Sequence, residues 1–149
     1  ALSSATLMMQ KEVGERLLAA PGSKTYGRLT IMTAYYADIE HVMDISRNCF
    51  YPRPEVESVV LKITPQKPKR ISVNNEEILK DFVRAAFQKR RKTILNITSD
   101  FFGVDKQTAR DTLLRLGLKP DLRPENLSLQ AIVQVINAFT PLSDWQRST

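Results

Sequence analysis

The stretch Arg47–Ile63, RNCFYPRPEVESVVLKI, decides how the first half of the chain is read. Its second half is an apolar, β-branched run in which Val56, Ser58, Val60 and Lys62 alternate with Glu57, Val59, Leu61 and Ile63, the pattern of a strand. Its first half places Pro52 and Pro54 around Arg53, directly after the aromatics Phe50 and Tyr51. Prolines fix φ, remove backbone donors and push the preceding residue into extended geometry. A stiff loop tipped with aromatics is therefore expected just before a strand.

Upstream, Asp38–Ile45 reads as a second strand, with Ile39, His41, Met43 and Ile45 on one side and Glu40, Val42 and Asp44 on the other. Paired antiparallel with 58–64, it makes a hairpin closed by the proline loop. Ala5–Met9 is a further strand, and Glu12, Val13, Arg16 and Leu17 open a helix. After the breaker-rich loop 19–27, Leu29, Met32, Thr33 and Tyr36 predict a helix from Arg28 to about Ala37, with those four as its apolar stripe. A strand and a hairpin are too few strands for an independent sheet with helices on both faces. The expectation is the back end of a larger α/β domain.

Thr64–Arg70, TPQKPKR, breaks the pattern and marks a linker over 66–73. Beyond it the signals are helical. Asn74 or Asn75 can cap a helix with Ile78, Leu79, Phe82, Val83, Ala86 and Phe87 as its stripe, and TILNITSDFFG continues in helix to Gly103. Asp105 can cap a helix stopped by Gly117, and Ser128 one that buries Ile132, Val135, Ile136 and Phe139. The domains expected are 1–65 (α/β), 74–141 (a small all-α domain) and a frayed tail over 142–149, in which Trp145 packs opportunistically.

Composition narrows the function classes. With 149 residues, 42% hydrophobic and 26% charged, the chain suits one globular domain or two small ones. No apolar run reaches the length of a membrane span, and the first residues lack a signal-peptide pattern, so a cytoplasmic setting without membrane contact is expected. Cys49 is the only cysteine, which excludes a disulfide framework or cysteine-rich zinc site; a small buried filler is the expectation for it. His41, the only histidine, reads as structural, and no metal is expected. The net charge of +6 is concentrated: Lys62–Lys92 carries ten basic residues against three acids, and the rest of the chain sums to −1. Such a patch favours a polyanion through counterion release. For the charge run alone, a solvated helix face is the slightly better account.

Four segments then carry a resemblance. MMQKEVGERLLAAPGSKTYGRLTIMTAYYADIE, FYPRPEVESVVLKI, AAFQKRRKTILN and LRPENLSLQ resemble, in the same order and with similar gaps, the KsgA-type rRNA adenine dimethyltransferases. That resemblance implies a Rossmann-like methyltransferase sheet followed by a helical rRNA-binding domain. It also implies S-adenosylmethionine as cofactor and two methyl groups placed on N6 of adjacent adenines in small-subunit rRNA. The family's glycine-rich cofactor loop and Asn-Leu-Pro-Tyr motif are missing: glycines stand only at 14, 22, 27, 103 and 117, and no G-x-G occurs. The chain therefore resembles the C-terminal remnant of such an enzyme. No bound cofactor and no catalytic residue is expected within it, and the chain alone is expected to be inactive and monomeric.

Phe50, Pro52, Pro54, Val56 and Ser58 match the family's F-x-P-x-P-x-V-x-S pattern, which implies that Phe50 stacks on the target adenine, with Pro52 and Pro54 shaping its pocket. A hydrophobic plug closing the hairpin is the bland alternative for Phe50, and plain surface the bland reading of Tyr51. Lys89, Arg90, Arg91 and Lys92, placed near Arg84 by helical spacing, imply an rRNA phosphate-binding surface, which Arg47, Lys24 and Arg28 extend. Lys11 and Glu12 read as a helix start near the active-site end of the sheet. Two other readings remain: the related macrolide-resistance group acting on large-subunit rRNA, and a non-catalytic RNA-binding helical module. The helices Asp105–Leu116 and Ser128–Phe139 are about eleven residues apart, too far for a helix-turn-helix, so DNA is not the expected partner.

Overall fold

In a computed structural model that describes residues 3–141, the chain is α/β, with one small antiparallel sheet and six α-helices. It divides into two units between Arg70 and Ile71. The first runs β1 (Ala5–Gln10), α1 (Lys11–Leu17), α2 (Arg28–Tyr36), β2 (Ala37–Ile45) and β3 (Ser58–Pro65). The second holds α3 (Glu76–Gln88), α4 (Ile94–Phe102), α5 (Lys106–Arg115) and α6 (Leu129–Phe139). No described helix is long and apolar enough to cross a membrane.

The strand order is β1-β3-β2, with β3 antiparallel to both neighbours. β1 and β2 therefore run parallel to each other, joined by the α1–α2 crossover, and β3 lies between them. Residues paired across strands share a face. One face carries the rows Leu7–Leu61–His41 and Met9–Val59–Asp44. Val59 and Leu61 are buried there, with α1 against them. Gly14 makes the approach possible: a Cβ at that position would collide with Val59 Cγ1. The opposite face carries the row Met8–Val60–Met43, in which Met8 is 55% and Met43 52% exposed. Val59 and Leu61 are thus covered on one face, while on the other a single exposed apolar row, Met8–Val60–Met43, lies between the more polar rows Thr6–Lys62–Glu40 and Gln10–Ser58–Ile45.

Two sequence expectations need correction in this unit. A β-bulge between His41 and Met43 leaves Val42 without a partner on β3, so the alternation expected across β2 reverses there. In α2 the buried residues are Thr30, Ile31 and Tyr35, while Leu29 and Tyr36 are exposed. The segment RLTIMTAYY is apolar around most of its circumference, so periodicity alone assigns no face. Packing decides it. The Thr30 hydroxyl donates to Arg16 O at 2.6 Å and accepts from the Gly27 N–H at 3.2 Å, tying the end of α1 to the start of α2.

Tyr26 is buried beside this junction, and burial pushes its phenol up to about 12. An unfolded tyrosine ionises near pH 10. The folded state therefore holds its proton longer, so stability is full below about pH 10 and falls as pH rises toward about 12. The expected loss is about 2–3 kcal/mol by linkage. Denaturant melts at pH 9 and pH 11.5 measure it, and Tyr26→Phe should flatten the difference.

The segment after β3 is held to the first unit. Gln66 N–H donates to Tyr36 O at 2.9 Å, and its side chain donates to Asp38 Oδ1 at 3.0 Å. Arg70 makes a two-pronged pair with Asp38, at 3.1 and 2.6 Å. The Lys69 ammonium sits 4.5 and 4.7 Å from the ring centres of Tyr35 and Tyr36. Because the Arg70 side chain is largely exposed, the pair is worth less than about 1 kcal/mol. Asp38→Ala is accordingly expected to leave global stability nearly unchanged yet speed tryptic cleavage after Lys69 and Arg70 several-fold.

In the helical unit the start and stop signals act where they are written. Asn75, Asp105 and Ser128 side chains accept from the N–H groups of Ile78, Thr108 and Ala131, at 3.1, 2.9 and 3.1 Å. Hydrogen bonds from the Thr108 hydroxyl and N–H hold the Asp105 carboxyl below its usual value. Gly103 and Gly117 close α4 and α5 at φ of 65° and 77°. Asn74 does another job. Its N–H donates to Asn137 Oδ1 and its side-chain amide to Thr140 O, both at 2.8 Å, fastening the segment before α3 to α6. The core is Leu79, Phe82, Val83 and Ala86 of α3 against Ile94, Ile97, Leu113, Ile132, Val135 and Ile136.

The helix expected to run on from α3 to Gly103 is broken. α3 ends at Gln88, and α4 begins anew at Ile94 behind a Thr93 cap whose hydroxyl accepts from Asn96 N–H. The first N–H groups of α4 are met by Leu122 O and Pro120 O, at 2.7 and 3.1 Å. Lys89–Lys92 are thus in a turn, not on a helix face. The expected Trp145 and the tail over 142–149 lie outside the described residues.

Candidate functional site

Two groups of the candidate residues come together, one in each unit. The first is the loop between β2 and β3. Ser46 starts it: its hydroxyl accepts from Asn48 N–H at 3.2 Å and its carbonyl from Cys49 N–H at 3.0 Å, forming a short 3-10 turn over Arg47–Cys49. Phe50 follows, half-buried, with its N–H on Arg47 O. Pro52 is exposed and Pro54 half-buried.

Arg47 closes the base of this loop. Its N–H donates to Glu57 Oε2 at 2.7 Å, its Nη1 to Glu55 O at 3.3 Å, and its Nε lies 3.8 Å from Glu57 Oε1. Glu57 in turn receives Lys11 N–H on its carbonyl at 3.0 Å, joining the loop to the start of α1. The guanidinium expected to face RNA is engaged within the protein. Glu57 carries no local sequence signal for this, because its partner is ten residues away across the loop. Cys49, expected as a buried filler, is exposed.

Beside the loop's base, on the helix-covered side of the sheet, is an open cleft of about 340 Å³ lined by Lys11, Gly14, Glu15, His41, Asp44 and Val59 among others. His41 is half-exposed there and bonds Asp44 Oδ1 through Nε2 at 3.1 Å.

The second group is the α3–α4 turn. Phe87, Gln88 and Lys89–Lys92 line a shallow hollow of about 450 Å³. Lys92 pairs with Asp100 at 3.1 Å, and that hydrogen bond and charge hold the Asp100 carboxyl below its usual value. Arg84 pairs with Asp81 at 2.7 Å. Lys89, Arg90 and Arg91 are exposed and make no ion pair among the described residues, which leaves their charge available to a polyanion. Arg28 opens α2, exposed, and is in neither group; nor is Lys24, in the loop before it.

The family model for ribosomal RNA adenine dimethylase matches residues 1–140. The chain belongs to that family. It is 39% identical over 130 residues to the ribosomal RNA small subunit methyltransferase A of Pseudoalteromonas translucida, covering 87% of this chain and 46% of the relative. The same-named protein of Moorella thermoacetica is 40% identical over 134 residues, covering 90% and 46%. Among solved structures, a dimethyladenosine transferase from Plasmodium falciparum aligns with a TM-score of 0.75 at 26% identity, covering 92% of this chain and 57% of that one. The 23S rRNA methyltransferase ErmE aligns at 0.65 and 18% identity over 92% and 55%, a likeness of fold. The chain spans about half the length of the curated relatives it matches.

The dimethylase family implies S-adenosylmethionine as its cofactor, and the glycines of this chain do not fit that group. Gly14 is packed on Val59, Gly27 is the extended residue before α2, and Gly22, Gly103 and Gly117 stand in open turns with nothing within 4 Å of a would-be Cβ. The β1–α1 turn, where a strand leads straight into a helix, passes from Gln10 to Lys11 without a glycine. No backbone cradle for a nucleoside is built from these residues.

Proposed function

We propose that this chain is the C-terminal portion of an S-adenosylmethionine-dependent adenine N6,N6-dimethyltransferase acting on two adjacent adenines of small-subunit rRNA. One observation carries the reading: a family match over nearly the whole chain that spans about half of its relatives; an exposed apolar row, Met8–Val60–Met43, on the sheet accords with it. Exposed apolar patches mark surfaces made to be covered. In this reading the segment that binds the cofactor and presents the catalytic groups covers that face, and the 149 residues alone neither bind the methyl donor nor transfer methyl groups.

The division of labour follows from chemistry. The adenine amino group is a poor nucleophile because its lone pair is delocalised into the ring, so the enzyme must extrude the base, grip it and aim N6. Phe50 is the gripping ring, with Pro52 and Pro54 stiffening the backbone that follows it and Arg47 closing the foot of the loop on Glu57. Stacking of a base on an aromatic is worth about 1–3 kcal/mol. Residues 74–141 act as the rRNA-binding domain through Lys89, Arg90 and Arg91, with 1–65 as the end of the methyltransferase sheet, 66–73 as the connection and 142–149 as a tail. The protein works as a cytoplasmic monomer.

The relatives' names favour the small subunit over the large. Competition binding tests that choice: the chain should prefer isolated small-subunit particles to large-subunit particles at matched salt. Preference for the large subunit would instead support the macrolide-resistance type.

A further inference from the structure

Tyr51 is 101% exposed, the most exposed large hydrophobic residue described, and it stands at the tip of the proline loop rather than in a frayed end. Tyrosine normally places part of its ring against the protein. Here the ring has no packing or hydrogen-bond partner among the described residues, and it is flanked by Phe50 on one side and Pro52 on the other. The loop beneath it is closed by Arg47 on Glu55 and Glu57 and by the Ser46 turn, so the tip is held out on a fixed base. A ring presented at low ordering cost suits a ligand with a flat π-face.

The charge balance narrows the ligand's mode of binding. Between Ser46 and Ser58 the cations are Arg47 and Arg53 and the anions Glu55 and Glu57. Net charge at the tip is zero, so electrostatic attraction is weak there, in contrast to the α3–α4 turn. Binding at the tip comes from stacking.

We propose that Tyr51 stacks on an unpaired RNA base flanking the target adenine, making the loop a two-ring grip in which Phe50 takes the target and Tyr51 its neighbour. This rests on the rRNA reading given above. It adds a site with a different physical signature: affinity contributed by Tyr51 is insensitive to salt, whereas affinity contributed by the basic turn is not.

That difference supplies the test. The 149-residue chain is titrated with an RNA hairpin whose loop holds unpaired adenines, one replaced by the fluorescent base 2-aminopurine. Wild type and Tyr51→Phe should bind and quench the probe. Tyr51→Ala should lose the quench and bind about 10-fold more weakly, with an unchanged slope of log K against log salt. The doubly charge-reversed variant Arg90→Glu/Arg91→Glu should keep the quench at saturation but show a shallower slope. Wild-type quench and affinity in Tyr51→Ala overturn the stacking role while leaving the RNA reading intact. Absence of binding by wild type overturns both. Thermal melts of Tyr51→Ala should match wild type, since the ring packs on nothing.

Discussion

Replacing Phe82 with alanine is expected to lower the unfolding free energy of the helical unit by about 3–5 kcal/mol. Phe82 is fully buried and meets Phe101 edge-on at 5.2 Å and Phe102 face-on at 5.7 Å, while Phe102 stacks on Phe139 at 4.9 Å. One ring thus joins α3 to α4, and through Phe102 to α6. A unit of this size is held by only about 4–12 kcal/mol in total, so the variant should be partly unfolded near physiological temperature. Urea denaturation measures the loss, and Phe82→Leu should recover a good part of it. A loss below about 1 kcal/mol would show that the aromatic cluster is not the centre of this core. The same cluster anchors both helices that flank the basic turn, so the RNA affinity of Phe82→Ala should fall with its folded fraction.

The second large effect concerns Arg90 and Arg91. Each phosphate contact contributes close to one unit to the slope of log K against log salt, somewhat less for single strands. Charge reversal of both residues should therefore flatten that slope by about two units and weaken small-subunit binding at low salt by about 10-fold or more. Arg84→Gln should change the slope less, because Asp81 already neutralises that guanidinium at 2.7 Å. Filter binding across a salt series distinguishes the two. Equal slopes for wild type and the double variant would mean that the turn does not face RNA.

What was legible in the sequence was mainly what is written locally. A cap side chain and the N–H it accepts lie three residues apart, so Asp105 and Ser128 could be read directly and the first cap narrowed to Asn74 or Asn75, of which the structure selects Asn75; the left-handed glycines at 103 and 117 were equally legible. The hairpin was legible for a similar reason, since strand composition and the proline loop stand next to each other. Strand order was not, because β1 finds its partner on β3 some fifty residues later. The face of α2 was hidden by a segment apolar on nearly every side, and the alternation of β2 by a one-residue bulge that no composition marks.

The site divides the same way. The tip residues Phe50, Pro52 and Pro54 stand in a contiguous motif, while the Arg47–Glu57 closure spans the loop and depends on the fold. The basic run was visible as charge, yet its placement on a helix was wrong: Thr93 restarts the helix after it. That turn presents Lys89, Arg90 and Arg91 together, exposed and without ion pairs among the described residues.

The central claim is that these residues hold and position rRNA for a cofactor-binding segment outside them. Its most direct measurement is methyl transfer from radiolabelled S-adenosylmethionine to isolated small-subunit particles, followed by mass spectrometry of the nucleosides. The chain alone should yield no N6,N6-dimethyladenosine. Joined to the segment of the Pseudoalteromonas relative that it does not match, it should yield that product at two adjacent adenines, and Phe50→Ala in the joined protein should reduce the rate. Dimethyladenosine produced by the 149 residues alone would contradict the account.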